Sequence, residues 1–126
     1  MNVKALIAAT GALTVLATPA FAATTQRATS LSEHLAKGTV KAKTRDTVSG
    51  VLKSGKTPLS KQRVLLEEKA AGAKKFTVIA KGTTSSKGAV AFTVYPAKGK
   101  DSYELVYIAT KTYKASHSAV AVITAK

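Results

Sequence analysis

The stretch from Gly50 to Thr57, Gly-Val-Leu-Lys-Ser-Gly-Lys-Thr, matches the G-x-x-x-x-G-K-[ST] pattern of a phosphate-binding loop. Such a loop cradles phosphates only where a strand enters at the first glycine and a helix opens at the lysine, so that backbone N–H groups and the helix terminus face the anion. Here Val51 and Leu52 carry a strand pattern past Gly50, and Pro58-Leu59-Ser60 starts a turn instead of an amphipathic helix. The match is assigned to coincidence. His34 and His117 lie far apart, with no HxH or HxxxH spacing and no cysteine in the chain to complete a metal shell. Asp46 and Asp101 stand alone and read as solvated loop or strand-start residues, while Glu67 and Glu68 point to opposite faces of a strand, so no calcium cage is expected. Glu67, Glu68 and Glu104 offer carboxylates, but glycoside hydrolysis also needs a cleft that a domain of this size rarely forms. No G-x-S-x-G occurs. The sequence therefore assigns no catalytic, cofactor-binding or metal-ligating residue, and an enzyme is not expected.

What remains is charge. The chain has 20 Lys and Arg against 6 Asp and Glu, a net charge of +14. Such a surplus draws polyanions, and it also keeps a small domain soluble and monomeric. The candidate polyanion contacts are Lys53, Lys56, Lys61, Lys74, Lys75, Lys98, Lys100, Lys111 and Lys114, spread along the chain in or beside its turns. The few aromatic residues mostly alternate like core positions instead of interleaving with the basic ones, which argues against sequence-specific nucleic-acid recognition.

The address of these residues comes from the amino terminus. Residues 1–22 have the form of a secretory signal peptide: Lys4, an apolar stretch over 5–16, Pro19, then the small-residue pattern Ala20-Phe21-Ala22. The apolar stretch is shorter than the ~20 residues a bilayer span requires, so cleavage before Ala23 is expected, with no transmembrane span afterwards. The exported domain loses one basic residue and keeps a net charge near +13. It is expected outside the cell or at the cell wall, as a monomer standing on its apolar core alone, because there is no cysteine for disulfides.

Residues 23–38 are polar and rich in Thr and Ser, and read as a flexible leader outside the core. Ser30 and Glu33 have capping-box spacing, Leu31 and Leu35 lie four apart, and Gly38 can end a turn, so the leader is expected to hold one helical turn. From residue 39 to 126 the texture changes to seven β-rich runs, at 39–44, 47–53, 62–68, 75–82, 89–95, 102–110 and 118–125, separated by Gly, Pro, Ser and Lys. Val90, Phe92 and Val94 share one strand face; Tyr103, Leu105 and Tyr107 share another; Val64 and Leu66 alternate with Arg63, Leu65 and Glu67. An all-β, seven-stranded antiparallel sandwich follows.

The order Gly50-Val51, Gly55 with Pro58-Leu59, Val64 and Leu66, Thr83 or Thr84 with Gly88, Val90-x-Phe92-x-Val94-x-Pro96, Tyr103-x-Leu105 and Tyr113 resembles bacterial Ig-like domains of secreted and surface proteins. Carboxypeptidase-regulatory-like and collagen-adhesin B-type modules are similar. The resemblance spans residues 39–125 and implies a sandwich used as a spacer, stalk or adhesive module; the Cys, Trp, Cys arrangement of antibody domains is absent. Some adhesin modules of this kind carry a Lys to Asn or Asp isopeptide crosslink. With Asn only at position 2, Asp46 and Asp101 would be its acceptors, and their reading as surface residues speaks against it.

The sequence thus points to a secreted, non-catalytic Ig-like structural or adhesive module, retained at an anionic cell-wall polymer or polysaccharide by its lysines. Two alternatives stand beside it: a cationic effector acting on membranes or competitor cells, and a protein-binding or inhibitor module using the loop at 98–101 or 111–117.

Overall fold

A computed structural model of the chain describes residues 25–126; the expected signal segment and its cleavage site lie outside the described residues. Among the described residues eleven strands follow one another: β1 (Ser30–Leu31), β2 (His34–Leu35), β3 (Thr39–Val40), β4 (Asp46–Ser54), β5 (Thr57–Pro58), β6 (Arg63–Lys69), β7 (Thr77–Thr83), β8 (Ala89–Val94), β9 (Gly99–Tyr107), β10 (Ser116–His117) and β11 (Ala121–Ala125). Each of the seven expected runs contains a strand. The short pieces β1, β2 and β5, which lie outside those runs, and β10, which precedes the last one, raise the count to eleven.

The strands form two sheets. In the first, β4 is central, with β8 and β5 along one side and β1 and β2 along the other. In the second, the order is β3-β11-β9-β6-β7, with β10 also paired to β9. Pairing is antiparallel except between β3 and β11, which run parallel, Thr39 opposite Thr124 and Val40 opposite Ala125. This departs from the wholly antiparallel expectation because the amino-terminal segment changes sheets: β1 and β2 lie on β4, and after Gly38, in the left-handed region at φ 81°, β3 lies on β11.

The inner faces are those the period-2 pattern predicts. Val48 and Leu52 of β4 and Val90, Phe92 and Val94 of β8 meet Val64 and Leu66 of β6, Tyr103, Leu105 and Tyr107 of β9 and Ile123 of β11 in one buried cluster. The tyrosines keep their hydroxyls satisfied at the margin of this core, Tyr107 donating to Gln62 at 2.7 Å and Tyr103 to Glu68 at 2.9 Å.

The reading of residues 30–38 as a helical turn outside the core is corrected. Leu31 is buried, Leu35 packs against the same cluster, and Ser32 N–H donates to the Val51 carbonyl while Ala36 N–H donates to that of Thr47. A spacing of four is shared by one turn of helix and by two pleats of a strand, so Leu31 and Leu35 fit both. The partners that decide between them sit on β4, Leu52 for Leu31 and Val48 for Leu35, 21 and 13 residues away in sequence.

Candidate functional site

All nine lysines singled out from the sequence are exposed, and the fold sorts them into two groups. Turns along an antiparallel sandwich alternate between its ends, so lysines scattered through the turns must collect at two poles. At one end, here the lower, lie the turn at 41–45, the loops at 70–76 and 95–98, and the carboxyl terminus. They are tied by Lys43 N–H to the Pro96 carbonyl at 2.7 Å, Ala42 N–H to that of Lys126 at 3.0 Å, and Ala71 N–H to Asp101 at 3.0 Å. Lys74, Lys75, Lys98 and Lys100 belong here. At the upper end lie residues 25–29, 54–62, 84–88 and 108–115, tied by Arg27 N–H to the Thr112 carbonyl and Lys61 N–H to that of Thr84. Lys53, Lys56, Lys61, Lys111 and Lys114 belong here.

The nine candidates leave out several members of these poles. Lys41, Lys43 and Arg45 join the lower one, and Arg27, Arg63 and Lys87 the upper one; all are exposed. The signal that would have found them is their place in turns or at strand ends. Every described Lys and Arg except Lys81 falls at one end or the other. The acidic residues divide differently. Asp46 and Asp101 are buried, Glu68 is half-buried beside Asp101, and Glu33, Glu67 and Glu104 lie along the middle of the sandwich, with Glu67 and Glu104 directly opposite each other on β6 and β9. Among the described residues the one basic side chain within 4 Å of a carboxylate is that of His117, whose Nδ1 lies 2.9 Å from Glu104, so no exposed lysine is paired with a carboxylate.

The surface reading of Asp46 and Asp101 is overturned. Asp46 is 1 % exposed and accepts N–H bonds from Lys37 at 3.0 Å, Gly38 at 2.9 Å and Thr47 at 2.8 Å. Asp101 is also buried and sits beside Glu68, which accepts from Tyr103. Burial, a hydrogen bond to Asp101 and the repulsion of its charge push the Glu68 carboxyl above its ordinary value, against the lowering effect of the Tyr103 hydroxyl. Burial and the Glu68 acceptor likewise push the Tyr103 phenol up, which keeps it a donor.

A carboxyl whose pKa is raised by folding holds its proton more tightly in the folded state. Its contribution is complete below the ordinary value of 4.5 and is lost as pH rises through the folded value. Glu68→Gln should therefore be more stable than the parent at pH 7 and lose that advantage toward pH 4, read from urea midpoints at both pH values. An advantage that grew toward low pH would contradict this arrangement.

The Gly50 to Thr57 stretch leaves the sheet along β4 and turns at Gly55 into β5, with no helix to receive a phosphate. His34 is an exposed β2 residue and His117, read as a loop residue, belongs to β10. Among the described residues no three His, Cys, Asp or Glu side chains converge. The outer face of the second sheet is the more apolar surface: Val78, Ile108, Val120 and Val122 are each between 46 % and 61 % exposed around half-buried Leu65 and Val106. A shallow hollow of about 450 Å³ lies at its upper corner, lined by Gln62, Arg63, Leu65, Tyr107 and Ile108 among others.

No family model matches the sequence, and neither does any curated protein. Among solved structures the chain is similar to the D0-D1 domain of Intimin, with a TM-score of 0.54 and 15 % identity over 75 % of this chain and 46 % of that one. The chain thus spans less than half the length of that structure. The likeness establishes the fold alone, an Ig-like β-sandwich.

Proposed function

We propose that this chain is a secreted, non-catalytic Ig-like structural or adhesive module that is held at an anionic cell-wall polymer or polysaccharide by its lysines. The observation that carries the reading is the disposition of charge: exposed lysines without carboxylate partners crowd both ends of a sandwich whose acids are buried (Asp46, Asp101), half-buried beside Asp101 (Glu68) or set along its middle (Glu33, Glu67, Glu104). Unpaired surface cations act at a distance on a polyanion and are screened by salt, with a Debye length of about 8 Å at physiological ionic strength. Export rests on the form of residues 1–22.

Cell fractionation tests this. The protein should sediment with the cell envelope at low salt and be released by a wash at about 1 M salt without detergent, where the Debye length falls to about 3 Å. Protein that stays in the medium at every salt concentration, or on the envelope through the wash, defeats the proposal.

A protein-binding module is the second reading, favoured by the apolar outer face around Val78, Ile108 and Val122. A partner bound there would survive moderate salt and be lost on replacing Ile108 by Glu. Retention by the lysines would respond in the opposite way to both.

A further inference from the structure

We infer that the two basic poles are separate binding sites, and that one molecule bridges two anionic polymer chains. The inference rests on the polyanion reading above and adds to it a geometry. Strand β9 runs nearly from pole to pole over nine residues, a length of roughly 30 Å at ~3.3 Å per residue. That is several times the ~8 Å screening length at physiological salt, so each pole presents its own field and neither assists nor hinders occupancy of the other.

What lies between the poles reinforces the separation. Glu67 and Glu104 occupy the middle of the second sheet against the single lysine Lys81, and face each other across the β6–β9 ladder. A polymer lying on the upper pole therefore meets a weakly acidic belt, and does not continue down the second sheet onto the lower pole. Both poles are made of loops clamped by backbone hydrogen bonds, such as Lys61 N–H to the Thr84 carbonyl above and Lys43 N–H to the Pro96 carbonyl below, so their exposed lysines are held at opposite ends of the sandwich. A rigid body with two distant sites cannot direct both onto one short stretch of chain, and two chains, or two distant stretches of a long one, are joined instead.

The experiment uses beads coated with heparin or, in a second arm, with long-chain polyphosphate, the first presenting sulfates and carboxylates and the second phosphates. Clumping is read by light scattering, and binding by the salt needed for elution. One variant has Arg27, Lys53, Lys56, Lys61, Arg63, Lys87, Lys111 and Lys114 changed to Gln, the other Lys41, Lys43, Arg45, Lys74, Lys75, Lys98 and Lys100. All these side chains are exposed, and unchanged melting temperatures verify the fold.

The parent should bind and clump the beads. Each variant should still bind, eluting at lower salt, yet fail to clump them even at about tenfold higher concentration. Clumping in either arm supports bridging, and the arm that responds identifies the polymer chemistry. If one variant loses binding altogether while the other binds and clumps like the parent, there is one site and bridging is wrong although polyanion binding stands. If an equal mixture of the two variants restores clumping, two molecules associate to do the joining, and the inference also fails. A parent that does not bind either polymer removes the underlying reading itself.

Discussion

Replacing Asp46 by alanine should lower the stability of the domain by about 3 kcal/mol, the scale expected when a buried charged acceptor of several hydrogen bonds is removed. For a domain near one hundred residues this appears as a melting temperature lower by roughly 15 °C. The carboxylate is 1 % exposed and receives the N–H groups of Lys37 and Gly38, the two residues at which the amino-terminal segment leaves the first sheet for the second. Alanine would leave both donors without a partner. Asp46→Asn keeps the shape and one acceptor but turns an amide N–H₂ toward a donor, and should lose about half as much. If alanine and asparagine both melt within about 3 °C of the parent, the sheet crossing does not depend on this side chain.

Gly50→Ala should cost a comparable amount, about 3 kcal/mol, by overpacking. A Cβ at this position would run into the Ser32 carbonyl oxygen on one side and the Leu105 side chain on the other. The first is backbone and the second belongs to the core, so neither can swing away as a flexible surface chain would. The segment carrying β1 and β2 would be pushed off β4, and trypsin should cut after Lys37 faster than in the parent, read by mass spectrometry of the released peptide. Gly55→Ala is the contrast. Its Cβ would meet open space, and only the left-handed φ of 61° opposes it, at a cost of about 1 kcal/mol. Equal proteolysis of the two variants would show that Gly50 is not kept small by this contact.

Gly50 also shows how a motif and a packing requirement can share residues. In the sequence it opens a phosphate-loop pattern; in the fold it is the point where the Ser32 carbonyl of the crossing segment leaves no room for a Cβ on β4. The context that refuses the motif was legible in Val51, Leu52 and Pro58. The packing reason was not, because Ser32 lies eighteen positions earlier and no local pattern links the two.

Residues that obey a period were read well. Val90, Phe92 and Val94, like Tyr103, Leu105 and Tyr107, alternate with polar or exposed neighbours, and alternation states which face is inward without reference to anything else in the chain. Residues that depend on a partner were read poorly. Leu31 and Leu35 satisfied two periods at once, and Asp46 and Asp101 looked like solvated turn residues because their acceptor roles are filled by backbone N–H groups of other segments. The strands β1, β2, β5 and β10 are each two residues long, too short to carry a period of their own, and exist through the ladders they join.

The sequence by itself determined the fold class, the inward faces of the long strands, the lack of cysteine crosslinks and the surplus of positive charge, since each is a matter of composition or of spacing along one strand. Tertiary structure alone decided that the amino-terminal segment crosses between sheets on Asp46, and that dispersed lysines become two opposed poles. The physical reason is the same in both cases. Charge and hydrogen-bond partnership act through space, and an antiparallel sandwich brings every second turn to the same end however far apart those turns lie in the chain.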